Sequence, residues 1–587
     1  MQNRSKGPTV LPEILGHLML VLHSHIPYVL SHGKSPHGTD WIFESAAESY
    51  LPILNACERL TNEGISPKIT VNMTPILQEQ LADESFKSEF VDYLQNAVNV
   101  AIDDQRDFVA KGNLWQGGLA YFWQQFYSRQ LEEFKEKHNH SVLSGFKKLQ
   151  DEGHIEVITS AATHGYLPLL GTDESVQAQV KLGVKTYEKH FGCEPRGIWL
   201  PECAYRPSYE WSPPVGDKGK PFYRKGVEAV LAENGLQYFF VDSHMLRGGS
   251  PLGTYADRFP ALTQLYKQFS DSFKNMEGAN RSEYESYWAA GPGETYAPVA
   301  CFARDPETTV QVWSGSHGYP GDPHYLEFHK MHYPGRLRYW RVSENKADLG
   351  AKALYEPLHS YERLCQHADH FVELVKNTMA NYKRNTGRIG CMVSMYDTEL
   401  YGHWWFEGPE WLYEVTKRLA SDPQIKLVTA SEQFEMNPPS SAVHLPEGSW
   451  GEGGYHSIWL NEQNAWTWED IYAAERDLVK LIDKYRMNPE VSPILKQAAR
   501  ELLLLESSDW QFLISTWSAR DYAEVRVAEH SRMFKALADM ARKVGEGGLL
   551  NEQEIEIYKD SELRDNPFQD LDLSYWSNTE FPAGAAF

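Results

Sequence analysis

GIWLPECAYRP, residues 197–207, is an apolar run that ends in a proline and a glutamate, with an arginine four residues further on. It is one of a set. GHLMLVLHSHIPYVL (16–30), KITVNMTP (68–75), IEVITSAATH (155–164), RGIWLPE (196–202), LQYFFVDSH (236–244), TVQVWSGSHG (309–318), RIGCMVSMYDTE (388–399) and IKLVTASEQF (425–434) are β-rich apolar stretches, and all but KITVNMTP, which ends in Thr-Pro, pass into His, Asp, Glu or Trp. Between many of them lie helical patterns such as DESVQAQVKLGVKTYEKHFG (173–192), which closes on a glycine. Strands alternating with helices predict a parallel sheet. Near-continuous apolar strands predict that both sheet faces are covered. In a β/α barrel the chemistry gathers at the C-terminal strand ends, where these polar residues fall. The fold class expected is therefore α/β, a barrel, with Glu202 aimed out of its mouth.

Working outward, residues 76–150 carry helical periodicity and predict a helical insertion. Residues 245–295 are rich in small, charged and polar residues and predict a long lid or surface excursion. After about 440 the strand pattern stops. AWTWEDIYAAERDLVKLIDKY, SPILKQAARELLLLESSDWQFLI and YAEVRVAEHSRMFKALADMARKV each carry an amphipathic stripe. The expected organisation is a catalytic barrel over 1–439 and a C-terminal α-helical domain over 440–587, with an extended polar tail after about 560.

Composition narrows the function classes. The 587 residues include 80 acidic and 56 basic ones, a net charge of −24, with no basic stripe. Phosphate binding needs clustered Lys and Arg, so neither nucleic acid nor an anionic membrane is an expected partner. No run of about 18 apolar residues and no secretory leader is visible, so the expected location is the cytoplasm. Six cysteines scattered without CxxC spacing argue against a zinc knuckle or a disulfide framework. The 18 Trp and 32 Tyr are numerous for the size, and flat aromatic faces suit sugar rings as well as cores.

Two carboxylates stand out by context, Glu202 after GIWLP and Asp397 after GCMVSMY, flanked by Trp199, Trp404 and Trp405. Glycosidic cleavage needs one group at the anomeric carbon and another to protonate the leaving oxygen, and a carboxylate pair supplies both. A salt bridge from Glu202 to Arg206 is the structural alternative. His23 and His25 share one face of an extended segment, His164 ends another strand, and His403 lies six residues past Asp397. They fit a divalent-metal site or, as neutral imidazoles, hydrogen bonds to sugar hydroxyls. Trp313, Trp450 and Trp459 flank glycine-rich loops that could bring indoles to a ligand, and Trp510, just after a leucine-rich helix, is expected to face the same cleft.

HSHIPY (23–28), EVITSAATHGYLPLL (156–170), GIWLPECAYRP (197–207), DTELYGHWWFEGPEWL (397–412) and SWGEGGYHSIWLN (449–461) resemble, in order and spacing, the conserved regions of glycoside hydrolase family 57, closest to its 1,4-α-glucan branching enzymes. The resemblance implies a (β/α)7 barrel with helical insertions and a C-terminal α-helical domain. It implies a retaining reaction with Glu202 as nucleophile and Asp397 as acid and base, about 5–5.5 Å apart. It further implies that His23, His25 and His164 line the −1 subsite, that no metal or other cofactor takes part, and that Trp313, Trp450 and Trp459 wall the acceptor groove. Tyr296 in TYAPV resembles a loop-tip tyrosine that shields the intermediate from water, although the stretch before it is far longer than the family's loop. The activity implied is α-1,4 cleavage of an amylose-, amylopectin- or glycogen-like glucan with transfer to a 6-hydroxyl, in glycogen or starch synthesis; the sequence does not determine the oligomeric state, for which a monomer is the favoured expectation. The same pair would serve an α-glucan hydrolase or a 4-α-glucanotransferase. A metal-dependent polysaccharide deacetylase and a non-catalytic glucan-binding protein are the alternatives from other classes.

Overall fold

The computed structural model describes residues 13–248, 281–290, 297–315, 317–344 and 348–577. Its strands are β1 (Gly16–Ser24), β2 (Thr70–Met73), β3 (Glu156–Ser160), β4 (Gly197–Trp199), β5 (Tyr209–Trp211), β6 (Phe222–Arg224), β7 (Tyr238–Val241), β8 (Tyr287–Ala289), β9 (Val299–Ala303), β10 (Gly390–Asp397), β11 (Ile425–Leu427) and β12 (Ala442–Val443). Seven of them run parallel in the order β10-β1-β2-β3-β4-β7-β9. The two ends of this run approach each other, because Asp305 N just beyond β9 donates to Val393 O of β10 at 2.8 Å. The sheet is thus curled into a barrel-like (β/α)7 arrangement. Every residue of β1, β2, β7 and β9 is buried, as expected for strands covered on both faces. β5 and β6 form a separate antiparallel pair, and β8 and β12 extend the main sheet beyond β9.

The helix Asp173–Phe191 follows from its sequence: the Thr172 side chain accepts from Ser175 N at its start, and Gly192 ends it at φ 76°. Helices Pro75–Ala82, Glu84–Ala110, Leu114–Glu132 and Val142–Asp151 occupy the expected helical insertion. Helices Ala465–Tyr485, Ser492–Leu505, Asp509–Thr516, Arg520–Gly545 and Glu552–Arg564 form the C-terminal helical region. Among the described residues no helix is long and apolar enough to cross a membrane.

Three expectations are corrected. TVQVWSGSHG (309–318) is not a strand: Pro306–Trp313 is a helix, started by Asp305, whose carboxylate accepts from Thr308 N, with a proline in the first turn. The strand in that part of the barrel is β9, ten residues earlier. The excursion 245–295 contains the short strand β8, paired antiparallel with β9; 249–280 and 291–296 lie outside the described residues. The tail after about 560 is not extended throughout. The last helix continues to Arg564, and Phe568, Leu571, Leu573 and Trp576 beyond it are buried.

Candidate active site

The site forms where the strand ends meet the C-terminal helices. Glu202 leaves β4 in a left-handed conformation, φ 59° and ψ 24°, and Cys203 follows at φ 48°. Non-glycine residues seldom occupy that region, and where they do the surrounding structure must hold them. Here the holding is explicit. Tyr205 and Gly448 exchange backbone hydrogen bonds at 2.9 and 3.0 Å, Trp450 N donates to Glu202 O at 3.1 Å, and Trp450 Nε1 donates to Glu202 Oε2 at 2.8 Å. Arg206 turns elsewhere, with its Nη1 donating to Pro207 O and its guanidinium lying over Tyr209. Burial pushes the Glu202 carboxyl up to about 8; the Trp450 indole N–H opposes this, while the Asp397 and Asp509 charges add to it.

Asp397 ends β10 directly across from His23 of β1 in the parallel register, and it is close enough for its charge to act on both Glu202 and Glu399. The histidines stack on one another. The His23 ring lies 4.7 Å from Trp199 and 4.9 Å from His164, and His25 lies 4.1 Å from His164. His164, at φ 59°, brings Nδ1 to 4.0 Å from Glu202 Oε1 and 2.9 Å from Ser508 Oγ. Asn72 Nδ2 donates to the Ile158 and Thr159 carbonyls, so its Oδ1 must accept from His23 Nδ1, 2.6 Å away. This fixes the tautomer and leaves His23 Nε2 as an acceptor. Burial, then the neighbouring His25, lowers His23 to about 3, and burial holds His164 well below the ordinary histidine range. Both are neutral at pH 7.

Two acidic residues join the site without a signal that the sequence reading picked up. Asp509, the residue before Trp510, accepts from His25 Nε2 at 2.8 Å. Burial alone would raise its carboxyl, but His25 and Ser507 hold it below the ordinary value. Glu399 is buried and accepts from the Tyr50 hydroxyl and from His25 N. Burial, then Asp397, raises it to about 8. Its place in DTEL, two residues past Asp397, was the available clue.

The tryptophans divide. Trp450, Trp313 and Trp404 form a chain of rings, each 6.4 Å from the next, with Trp199 5.1 Å from Trp450. Arg304, paired with Asp242, lies 5.2 Å from the Trp450 ring. Trp459 and Trp510, buried like Trp199 and Trp450, make other contacts: Trp459 stacks on Tyr166 at 4.6 Å, and Trp510 donates to Leu504 O beneath Arg526. His403 is not brought into the histidine stack. It pairs with Glu48 at 2.9 Å, and Glu48 in turn pairs with Arg338. Tyr296 lies outside the described residues.

Among the described residues, His25, His164 and Asp509 place ligand atoms within 4.8 Å of one another, as do His32, His530 and Asp565. In the first group a metal would have to displace the His25–Asp509 hydrogen bond. In the second, Arg526 lies 3.0 Å from His530 Nε2 and Arg564 pairs with Asp565, and these cations disfavour a divalent ion.

The family model described as glycosyl hydrolase family 57 matches residues 19–446, and that described as 1,4-alpha-glucan branching enzyme, C-terminal, matches 470–576. A 1,4-alpha-glucan branching enzyme of Thermococcus kodakarensis is 42% identical over 557 residues, 94% of this chain and 77% of that protein. The crystal structure of a family 57 branching enzyme from Pyrococcus horikoshii matches with a TM-score of 0.85 at 40% identity, covering 97% of this chain and 98% of that one. The α-amylase AmyC from Thermotoga maritima matches with a TM-score of 0.77 at 27% identity, covering 96% and 100%.

Proposed function

The chain belongs to glycosyl hydrolase family 57, and from that premise we propose that it is a 1,4-α-glucan branching enzyme whose reaction is carried by Glu202 and Asp397. Glu202 attacks the anomeric carbon of an α-1,4 bond and holds the cut chain as a glycosyl-enzyme. Asp397 protonates the departing 4-oxygen, then takes the proton from the 6-hydroxyl of an acceptor chain as the α-1,6 bond forms. His23, His25 and His164 bind the sugar at the point of cleavage, His23 and His164 as neutral partners. Trp199, Trp313, Trp404 and Trp450 offer aromatic faces around it, and Tyr296 limits water access. In this reading the barrel runs to about residue 439 and the helical region beyond it completes the site.

The observation that most supports transfer is that this helical region, matched over 470–576 to the branching-enzyme C-terminal domain, supplies Ser508 and Asp509 to the histidine stack. The substrate is an amylose-, amylopectin- or glycogen-like glucan, and the setting is glycogen or starch synthesis in the cytoplasm by a monomer.

The test is incubation of the pure protein with amylose, followed by debranching and chain-length analysis. New α-1,6 linkages are the expected product. The likeness to AmyC favours hydrolysis as the second reading, and reducing ends without new linkages would establish it. Chelation leaves the rate unchanged in either glycosidic reading, whereas a metal-dependent deacetylase would lose activity and regain it with a divalent ion.

A further inference from the structure

Most tryptophans placed near the site are buried; Trp517 is 62% exposed. It ends the helix Asp509–Thr516 in the left-handed conformation, φ 60° and ψ 17°, a position that glycine occupies at no steric cost. An indole held in a strained backbone and left in water gains little for folding.

The ring is nevertheless held in place. Its Nε1 donates to Gln463 Oε1 at 2.8 Å, and the Arg520 guanidinium lies 5.3 Å from its centroid. Gln463 belongs to the loop after Trp459. Asn461 and Asn464 of that loop both donate to Ser515 Oγ in the last turn of the helix, at 2.8 and 3.0 Å. Trp517 is therefore tied to the site from two sides. One tie is the helix that begins at Asp509, about 12 Å away at 1.5 Å per residue. The other is the segment that carries Trp450 and Trp459. Trp466, 39% exposed, stands three residues past Gln463.

We propose that Trp517 is a sugar-stacking platform outside the catalytic cleft, where the C–H-rich face of a pyranose from a long α-1,4-glucan chain rests on the indole. The platform rests on the glucan reading above and deepens it: it selects for chain length, retaining polymeric glucan while leaving short oligosaccharides to the cleft alone.

The test uses the full chain carrying Glu202→Gln, so that glucan is bound and not consumed. Affinity electrophoresis in amylose gels compares this parent with added Trp517→Gly, Trp517→Ala and Trp517→Tyr. The Gly and Ala variants are expected to bind amylose roughly two- to tenfold more weakly, the scale of one aromatic contact, and the Tyr variant to stay close to the parent. Maltotriose binding by calorimetry should be unchanged in all four. Trp517→Gly loses the Gln463 hydrogen bond but relieves the left-handed strain, so it should melt within a few degrees of the parent and stay folded at the binding temperature, which separates lost binding from lost folding. Equal amylose binding by the parent and Trp517→Gly would overturn the platform alone, as would an equal loss for maltotriose. A parent that binds no amylose would overturn the glucan reading and the platform with it.

Discussion

Glu202 meets two opposed demands. The proposed role of nucleophile requires it to be ionised, yet it is buried beside two other carboxylates and its carboxyl is pushed up to about 8. Trp450 Nε1, donating to Oε2, is the contact that favours the charged form. Trp450→Phe removes it, so the ascending limb of kcat/KM against pH should move about 1 pH unit towards alkali. A limb that stays in place would show that this hydrogen bond does not tune the nucleophile. Glu202→Gln should abolish turnover while glucan binding persists, because the shape is kept and the nucleophile lost. It should also stabilise the fold. Above pH 8 the native state carries a buried charge at this position that the amide lacks, so the variant should gain a few kcal/mol at pH 9 and little at pH 4, measured by denaturant unfolding at both. Glu202 was legible from its own neighbours, an apolar strand followed by Pro-Glu. Asn72 and Asp509 were not, because their partners lie 49 and 484 positions away in the chain.

At the scale of elements, alternation of apolar strands with helices was readable because burial on both sheet faces leaves a continuous apolar run. It failed at TVQVWSGSHG, where β-branched residues suggested a strand and the local signal that decided the matter was Asp305-Pro306, a helix start. The DTELYGHWWFEG segment shows how closely elements can approach. Gly402 has φ 114°, and a Cβ there would sit 1.7 Å from the Glu48 carbonyl oxygen. Gly402→Ala should therefore force apart the turn that carries His403 and its buried partners Glu48 and Arg338. A loss of roughly 2–4 kcal/mol in urea unfolding is expected, with unchanged stability counting against the packing described here.

Across the whole molecule, buried titratable groups set the response to pH. His23, His164 and His530 are lowered by burial. The unfolded chain takes up protons at these positions below about pH 6.5 while the native state does not, so they cost stability as pH falls. Glu202 and Glu399 are raised to about 8. The native state holds their protons after the unfolded chain has released them, so they cost stability as pH rises from about 4.5 to 8. The two effects oppose each other between about pH 4.5 and 6.5 and act alone outside that window. Melting temperature should be highest within it and fall on both sides, as scanning calorimetry from pH 3.5 to 9 would show. A maximum above pH 8 would contradict the burial of these carboxyls.

Local chemistry along the chain was enough to determine a parallel α/β barrel, a helical C-terminal region and the two carboxylates at strand ends, because each is written in consecutive residues whose burial and spacing decide the element they form. Only the tertiary structure decided that Asp509 reaches the histidines from the C-terminal helices, that Trp459 packs on Tyr166 and Trp510 beneath Arg526, and that His403 contacts the buried Glu48–Arg338 ion pair. Those outcomes depend on which distant segments pack together. A side chain gains a partner or loses water by that packing, and its own stretch of sequence carries no record of it.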